Sequence, residues 1–136
     1  MKDQAKDSLV ELKIPNKPEF LRVVRLFISG YASRWQLPVD EVEDIKVAIS
    51  EVCNNAIKGS DESGEISQIK IKCWQLEDYL VFEIKDKSSK NSLIEGESEE
   101  DGLGMLLIKT LMDEVEVISD VDKDKKIIMK KKIQPD

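Results

Sequence analysis

Glu51 and Asn55 stand four residues apart in a stretch with helical periodicity. That spacing sets them about 40° apart around a helix axis. A carboxylate and a carboxamide on one ledge can orient a hydroxyl or a water, and their oxygens can ligate Mg2+. A solvated helix flank with an i, i+4 polar pair shows the same spacing. Asp86 ends an alternating apolar segment. A carboxylate at a strand end can accept a hydrogen bond from the amino group of a base, and the same residue also suits a turn or a cap. Gly102-Leu103-Gly104 precedes a further apolar run. Glycines let the backbone approach a phosphate, and a helix start supplies unpaired N–H groups and the positive end of a dipole. A plain loop-to-helix joint reads identically.

The elements that must position these residues follow from periodicity. Val10, Leu12 and Ile14 alternate, which predicts a strand, and Pro15 and Pro18 punctuate its end. Over residues 19–35, Phe20, Val24, Phe27, Ile28 and Tyr31 recur at helical spacing until Pro38 breaks the pattern. Asp40 is the expected N-cap of a second helix, with Glu41 and Glu43 suiting its first turn. Val42, Ile45, Ile49, Val52 and Ala56 form its apolar stripe, with Glu51 and Asn55 off it. Gly59 and Ser60 are the expected helix end, and residues 61–64 a turn. Ile69, Ile71 and Cys73, then Leu80, Phe82 and Ile84, predict an antiparallel hairpin turning near Glu77-Asp78. Residues 87–101 are polar and aperiodic, so a mobile loop is expected. A short helix over 103–112 follows, opened by Gly102-Leu103-Gly104. Two closing strands carry Val115 and Val117, then Ile127 and Met129, with a charged turn over 122–126 between them. The order β-α-α-β-β-α-β-β lacks the strict alternation of a doubly wound parallel sheet. It predicts an α+β fold, a two-layer sandwich whose mixed, mostly antiparallel sheet carries helices on one face.

The bulk properties bound the function. With 136 residues, 40% of them hydrophobic, the chain fits one domain over residues 1–136, whose core any site and any partner surface must share. A net charge of −7 argues against nucleic acid as a partner, because phosphate binding needs a basic surface. It suits a basic protein partner, or serves solubility alone. No apolar run is long enough to span a bilayer, and the N-terminal residues lack the apolar centre of a signal peptide. Cys53 and Cys73 sit in apolar-patterned segments without metal-ligand spacing, as expected of buried reduced thiols in a cytoplasmic protein. The absence of histidine excludes a Ser-His-Asp triad and the usual His-based zinc sites.

Taken together, Glu-x-x-x-Asn on a helix, a strand-end Asp, a polar loop and GxG resemble the ATP-binding (Bergerat-type) fold of the GHKL superfamily. Within it the chain resembles the RsbW/SpoIIAB anti-sigma factors that are also serine-protein kinases, RsbW more than SpoIIAB. The resemblance covers nearly the whole chain. It is carried by Pro18-Glu19-Phe20, Arg25-Leu26, Ser29-Gly30, Ala32-Ser33-Arg34, Glu41-Val42-Glu43-Asp44-Ile45-Lys46, Ser50-Glu51, Asn55-Ala56, Gly102-Leu103-Gly104 and Thr110-Leu111-Met112-Asp113-Glu114-Val115. It implies a cytoplasmic bacterial regulator of transcription. That regulator would bind a sigma factor and use ATP and Mg2+ to phosphorylate a serine of a STAS-type anti-sigma-factor antagonist. By resemblance Glu51 is the general base, Asn55 the Mg2+ ligand, Asp86 the adenine anchor, and Gly102 and Gly104 the phosphate-side backbone. Arg22 and Arg25 are the candidate partner-facing residues, and a homodimer through the sheet is implied in the same way.

The chain departs from that pattern at four places. Ser88 stands where the family has glycine after the adenine aspartate, and Gly59 where a histidine is common. The loop over 87–101 is short for an ATP lid and offers Lys87 and Lys90 as its cations, and Lys125-Lys126 replace a Gly-Thr-type pair. These departures motivate a second reading, a partner-binding module that kept the fold without ATP turnover.

Overall fold

The computed structural model describes residues 9–58, 67–86, 99–119 and 125–133. Strand β1 (Val10–Pro15) leads through a 3-10 turn (Pro18–Phe20) into helix α1 (Leu21–Ala32). The long helix α2 (Val39–Lys58) follows, then strands β2 (Gln68–Leu76) and β3 (Tyr79–Asp86), helix α3 (Glu99–Leu111), and strands β4 (Glu114–Ser119) and β5 (Lys125–Lys132). The five strands form one sheet in the order β1-β2-β3-β5-β4. Every pairing in it is antiparallel, so the expected mostly antiparallel sheet contains no parallel pair among the described residues.

Alternation explains how the layers meet. Val10, Leu12 and Ile14 pair with Cys73, Ile71 and Ile69, and those with Phe82, Ile84 and Asp86. Phe82 and Ile84 pair in turn with Met129 and Ile127. Side chains of one parity point to one face, and this face joins the stripes of α1 (Val24, Ile28, Tyr31) and α2 (Ile45, Ile49, Val52, Ala56) in one core. Helix α2 packs against both α1 and α3. Tyr31 meets the Phe82 ring edge-on, with centroids 6.2 Å apart, which ties α1 to the central strand. The opposite parity carries lysines and glutamates matched across strands, as in Lys70–Glu11 at 3.5 Å and Lys126–Glu83 at 3.7 Å.

Several boundaries move from their sequence-based positions. Asp40 is the second residue of α2, not its cap. The carbonyl of Pro38 accepts the first helical bonds, from the N–H groups of Glu41 and Val42 at 3.0 and 3.1 Å. A proline has no N–H to strand at a helix start, so the break after α1 doubles as the entry to α2. The first helical stretch divides into the 3-10 turn and α1, and 33–35 form a turn in which Arg34 lies over the Trp35 ring. The hairpin turn falls at Glu77-Asp78 as expected, with Glu77 at φ 55°. Lys125 and Lys126 belong to β5 rather than to the preceding turn. The expected helix end at Gly59-Ser60 and the turn over 61–64 lie outside the described residues.

Lys131 fastens the far end of α3. Its Nζ donates to the Leu111 carbonyl at 2.7 Å and lies 3.7 Å from Asp44 of α2. A cation at a helix C-terminus satisfies the unpaired carbonyls and complements the dipole.

Both cysteines are buried free thiols on the core face. Burial, and secondarily the charge of Asp86, pushes the Cys53 thiol up to about 12. Burial pushes Cys73 upward as well. Burial first, then Cys73, pushes the Tyr31 hydroxyl up to about 12, with Arg34 acting in the opposite sense.

Two predictions follow from the core. Phe82 is fully buried, so Phe82→Ala is expected to cost about 3–5 kcal/mol in urea unfolding. The raised thiol and phenol values favour the folded state fully below the ordinary thiol value of 9.0. That contribution is lost as pH rises from there toward 12, because the unfolded chain then releases protons that the folded one retains. Urea midpoints measured at successive pH values from 8 to 11 are expected to fall, and to fall less steeply in Cys53→Ala.

Candidate functional site

Helix α2 organises the site because one side of it is committed to the core. Ile45, Ile49, Val52, Cys53 and Ala56 are completely buried, which fixes the rotation of the helix on the sheet. Glu51 and Asn55 then emerge along its half-buried edge. Glu51 meets α3 there: a Cβ placed on Gly104 would lie 3.1 Å from Glu51 Oε2. The glycine therefore leaves room for the carboxylate, and any side chain at 104 would press on it.

Gly102 and Gly104 do not open their helix. Helix α3 begins at Glu99, three residues earlier, and ends at Leu111, so Gly102-Leu103-Gly104 lies within it. What Gly104 contributes in this structure is close approach to Glu51.

Asp86 ends β3 and is fully buried. The Nδ2 of Asn16 donates to Asp86 Oδ1 at 3.4 Å and to the Ala56 carbonyl at 3.1 Å. Ala56 directly follows Asn55, so this amide couples the strand-end carboxylate to the helix that bears the polar pair.

On the other flank of α2, an open cleft of about 470 Å3 runs against α1, lined by Leu21, Arg25, Lys46, Ser50, Glu51 and Asn54 among others. Arg25 Nε donates to the buried Ser50 Oγ at 3.3 Å, which holds the guanidinium over the cleft next to Glu51. Lys46 is paired with Glu43 at 3.0 Å. Arg22, one turn before Arg25, is exposed on α1. Lys126 points to the other face of the sheet and pairs with Glu83 there. Ser88, Gly59, Lys87 and Lys90 lie outside the described residues.

The structure thus brings Glu51 against Gly104, sets Asn55 one helical turn on, and links Asp86 to the same helix. Arg25 joins them at the cleft. Sequence reading missed Asn16, whose position between two prolines reads as a turn, and Asn54, which carries no signal beyond its place beside Asn55. Among the described residues no cluster of three or more His, Cys, Asp or Glu side chains could hold a metal. Mg2+ held chiefly by phosphates and completed by one carboxamide suits that donor set, since Mg2+ keeps few protein ligands in such sites.

Comparison with known families gives the class, the histidine kinase-like ATPase domain. Residues 14–131 match that domain family. The chain is 38% identical to the serine-protein kinase RsbW of Bacillus pumilus, across 80% of this chain and 77% of the relative. It is 33% identical to that of Bacillus subtilis, across 79% and 76%. In shape it is similar to the crystal structure of the RsbU and RsbW domains of a Mycobacterium tuberculosis protein, with a TM-score of 0.70 at 15% identity. That match covers 93% of this chain and 33% of the longer one. The chain belongs to the RsbW family of serine-protein kinases. No helix among the described residues is long and apolar enough to cross a membrane.

Gly104→Ala separates the two roles of that position. An alanine inside α3 is expected to leave the fold intact or stabilise it by up to about 1 kcal/mol, while displacing the Glu51 carboxylate. Thermal unfolding should therefore hold or rise while serine-kinase activity falls.

Proposed function

We propose that this chain is an ATP-dependent protein serine kinase and anti-sigma factor. It would bind a sigma factor and phosphorylate a serine of an antagonist protein. The observation that carries the reading is the contact of Glu51 with the glycine of α3, with Asn55 one turn along and Asp86 held at the same helix. Phosphoryl transfer needs positioning and charge neutralisation more than covalent help, and this arrangement offers groups for both.

In this reading Asp86 accepts a hydrogen bond from the adenine amino group, and Gly102 and Gly104 leave room on the phosphate side. Asn55 would offer its carboxamide oxygen to Mg2+, which when bound would neutralise charge on the phosphates. Glu51 accepts the proton of the acceptor serine as its Oγ bonds to the γ-phosphorus and the bond to the ADP oxygen breaks. The cleft between α1 and α2 opens directly beside Glu51, and this supports it as the approach for the partner serine. Arg25 and the exposed Arg22 would meet the partner there. A STAS-type antagonist is the expected acceptor. A second copy would pair through the sheet.

Calorimetric titration with Mg-ATP and a phosphorylation assay on a candidate antagonist test the proposal together. Asn55→Ala is expected to abolish measurable Mg-ATP binding. Glu51→Ala should still bind nucleotide while phosphoryl transfer falls by about 10²–10⁴-fold. A wild-type chain that binds no Mg-ATP but still binds a sigma factor would instead establish the partner-binding module.

A further inference from the structure

Asn16 is buried to 8% exposure and lies in the turn after β1, where its N–H donates to the Ser67 carbonyl at 2.9 Å. This bond extends the β1–β2 ladder by one step beyond Pro15↔Gln68. It reaches the end of the sheet at which Asp86 pairs with Ile69. The orientation of the Asn16 amide is decided by its neighbours. The Ala56 carbonyl and the Asp86 carboxylate are both acceptors, so the NH2 group must face them. The carbonyl Oδ1 of Asn16 is therefore turned away from both. It is buried without a hydrogen-bond partner among the described residues, and so is the Oγ of Ser67 across from it. Buried polar atoms are normally paired. One unpaired acceptor on the residue that holds Asp86, and a second unpaired oxygen on Ser67 where the β1–β2 ladder ends, are hydrogen-bonding capacity left over at this strand end.

We propose that Asn16 is a positioning and specificity residue for the purine. Its amide fixes the carboxylate of Asp86, and its Oδ1, with the Ser67 hydroxyl, adds hydrogen-bonding capacity beside it. The strand end then selects a base edge that bears an amino group. Adenine presents an amino group at its 6-position and guanine a carbonyl, which two facing acceptors repel. A side chain that merely filled the turn would carry no such preference. The proposal rests on the reading of Asp86 as the base anchor, and its test keeps the two apart.

The experiment titrates the full chain with Mg-ATP and with the Mg complex of purine riboside triphosphate, which lacks the 6-amino group. Asn16→Ala is expected to raise the Kd for Mg-ATP about tenfold, the loss of one buried hydrogen-bonding partner. The Kd for the unsubstituted nucleotide should stay within about twofold of wild type. A parallel loss for both nucleotides, or no change for ATP, would overturn the proposal, since a purely structural role weakens both alike. Circular dichroism checks folding. If Asn16→Ala does not fold, Asn16→Ser, which keeps a small donor and acceptor, is read by the same two titrations. Asp86→Asn is measured alongside. If it abolishes ATP binding while the Asn16 variant behaves as wild type, Asn16 has no part in base recognition and the anchor stands. If Asp86→Asn binds ATP normally, the anchor itself is wrong and the inference falls with it.

Discussion

The burial of a single stripe of α2 against the sheet is the constraint on which the rest depends. Ile45, Ile49, Val52 and Ala56 have no freedom to rotate away from the core face of β2, β3 and β5. A helix turn advances 100° per residue, so once these side chains are seated the direction of every other residue on the helix is determined. Glu51 reaches Gly104, Ser50 takes Arg25, and the Ala56 carbonyl meets Asn16. The same packing that stabilises the protein aims the Glu51 carboxylate, so no loop has to place it.

Around that helix the site is assembled from three directions, each by a different interaction. Helix α3 comes close because Gly104 has no side chain, and Lys131 holds its opposite end to Leu111 and Asp44. Strand β3 delivers Asp86 through sheet register, two residues beyond Ile84 of the pair Ile71↔Ile84 and so on the same face. Helix α1 contributes Arg25 because its own stripe, Val24, Ile28 and Tyr31, faces inward and leaves the arginine on the α2 side. Hydrophobic burial, backbone pairing and steric allowance thus each account for one edge.

Much of this was legible in the residues. The alternations in β1, β2, β3 and β5, the α2 stripe and the turn at Glu77-Asp78 are strong local signals, and each corresponds to an element. The polar pair on α2 was legible as a pair, although spacing alone leaves it equally a solvated flank. Only the family resemblance assigned it roles. Less was legible where an outcome depends on distant contacts. The early start of α3 falls on residues that, in the sequence, read equally well as a polar loop. The position of Asp40 was misread because a cap signal was credited to a side chain, whereas the Pro38 carbonyl serves. Asn16 could not be found from its neighbours in the chain, because its partners lie 40 and 70 residues away. The placement of Lys126 likewise required the register of β5 against β3.

The two thiols have a consequence for how such a protein can be informed. Cys53 and Cys73 are both sealed in the core and held in the protonated form, and it is the thiolate that reacts with peroxides and with other disulfides. Oxidants that modify exposed thiolates therefore find neither cysteine accessible in the folded chain. Direct redox sensing by Cys53 or Cys73 would first require the core to open around them.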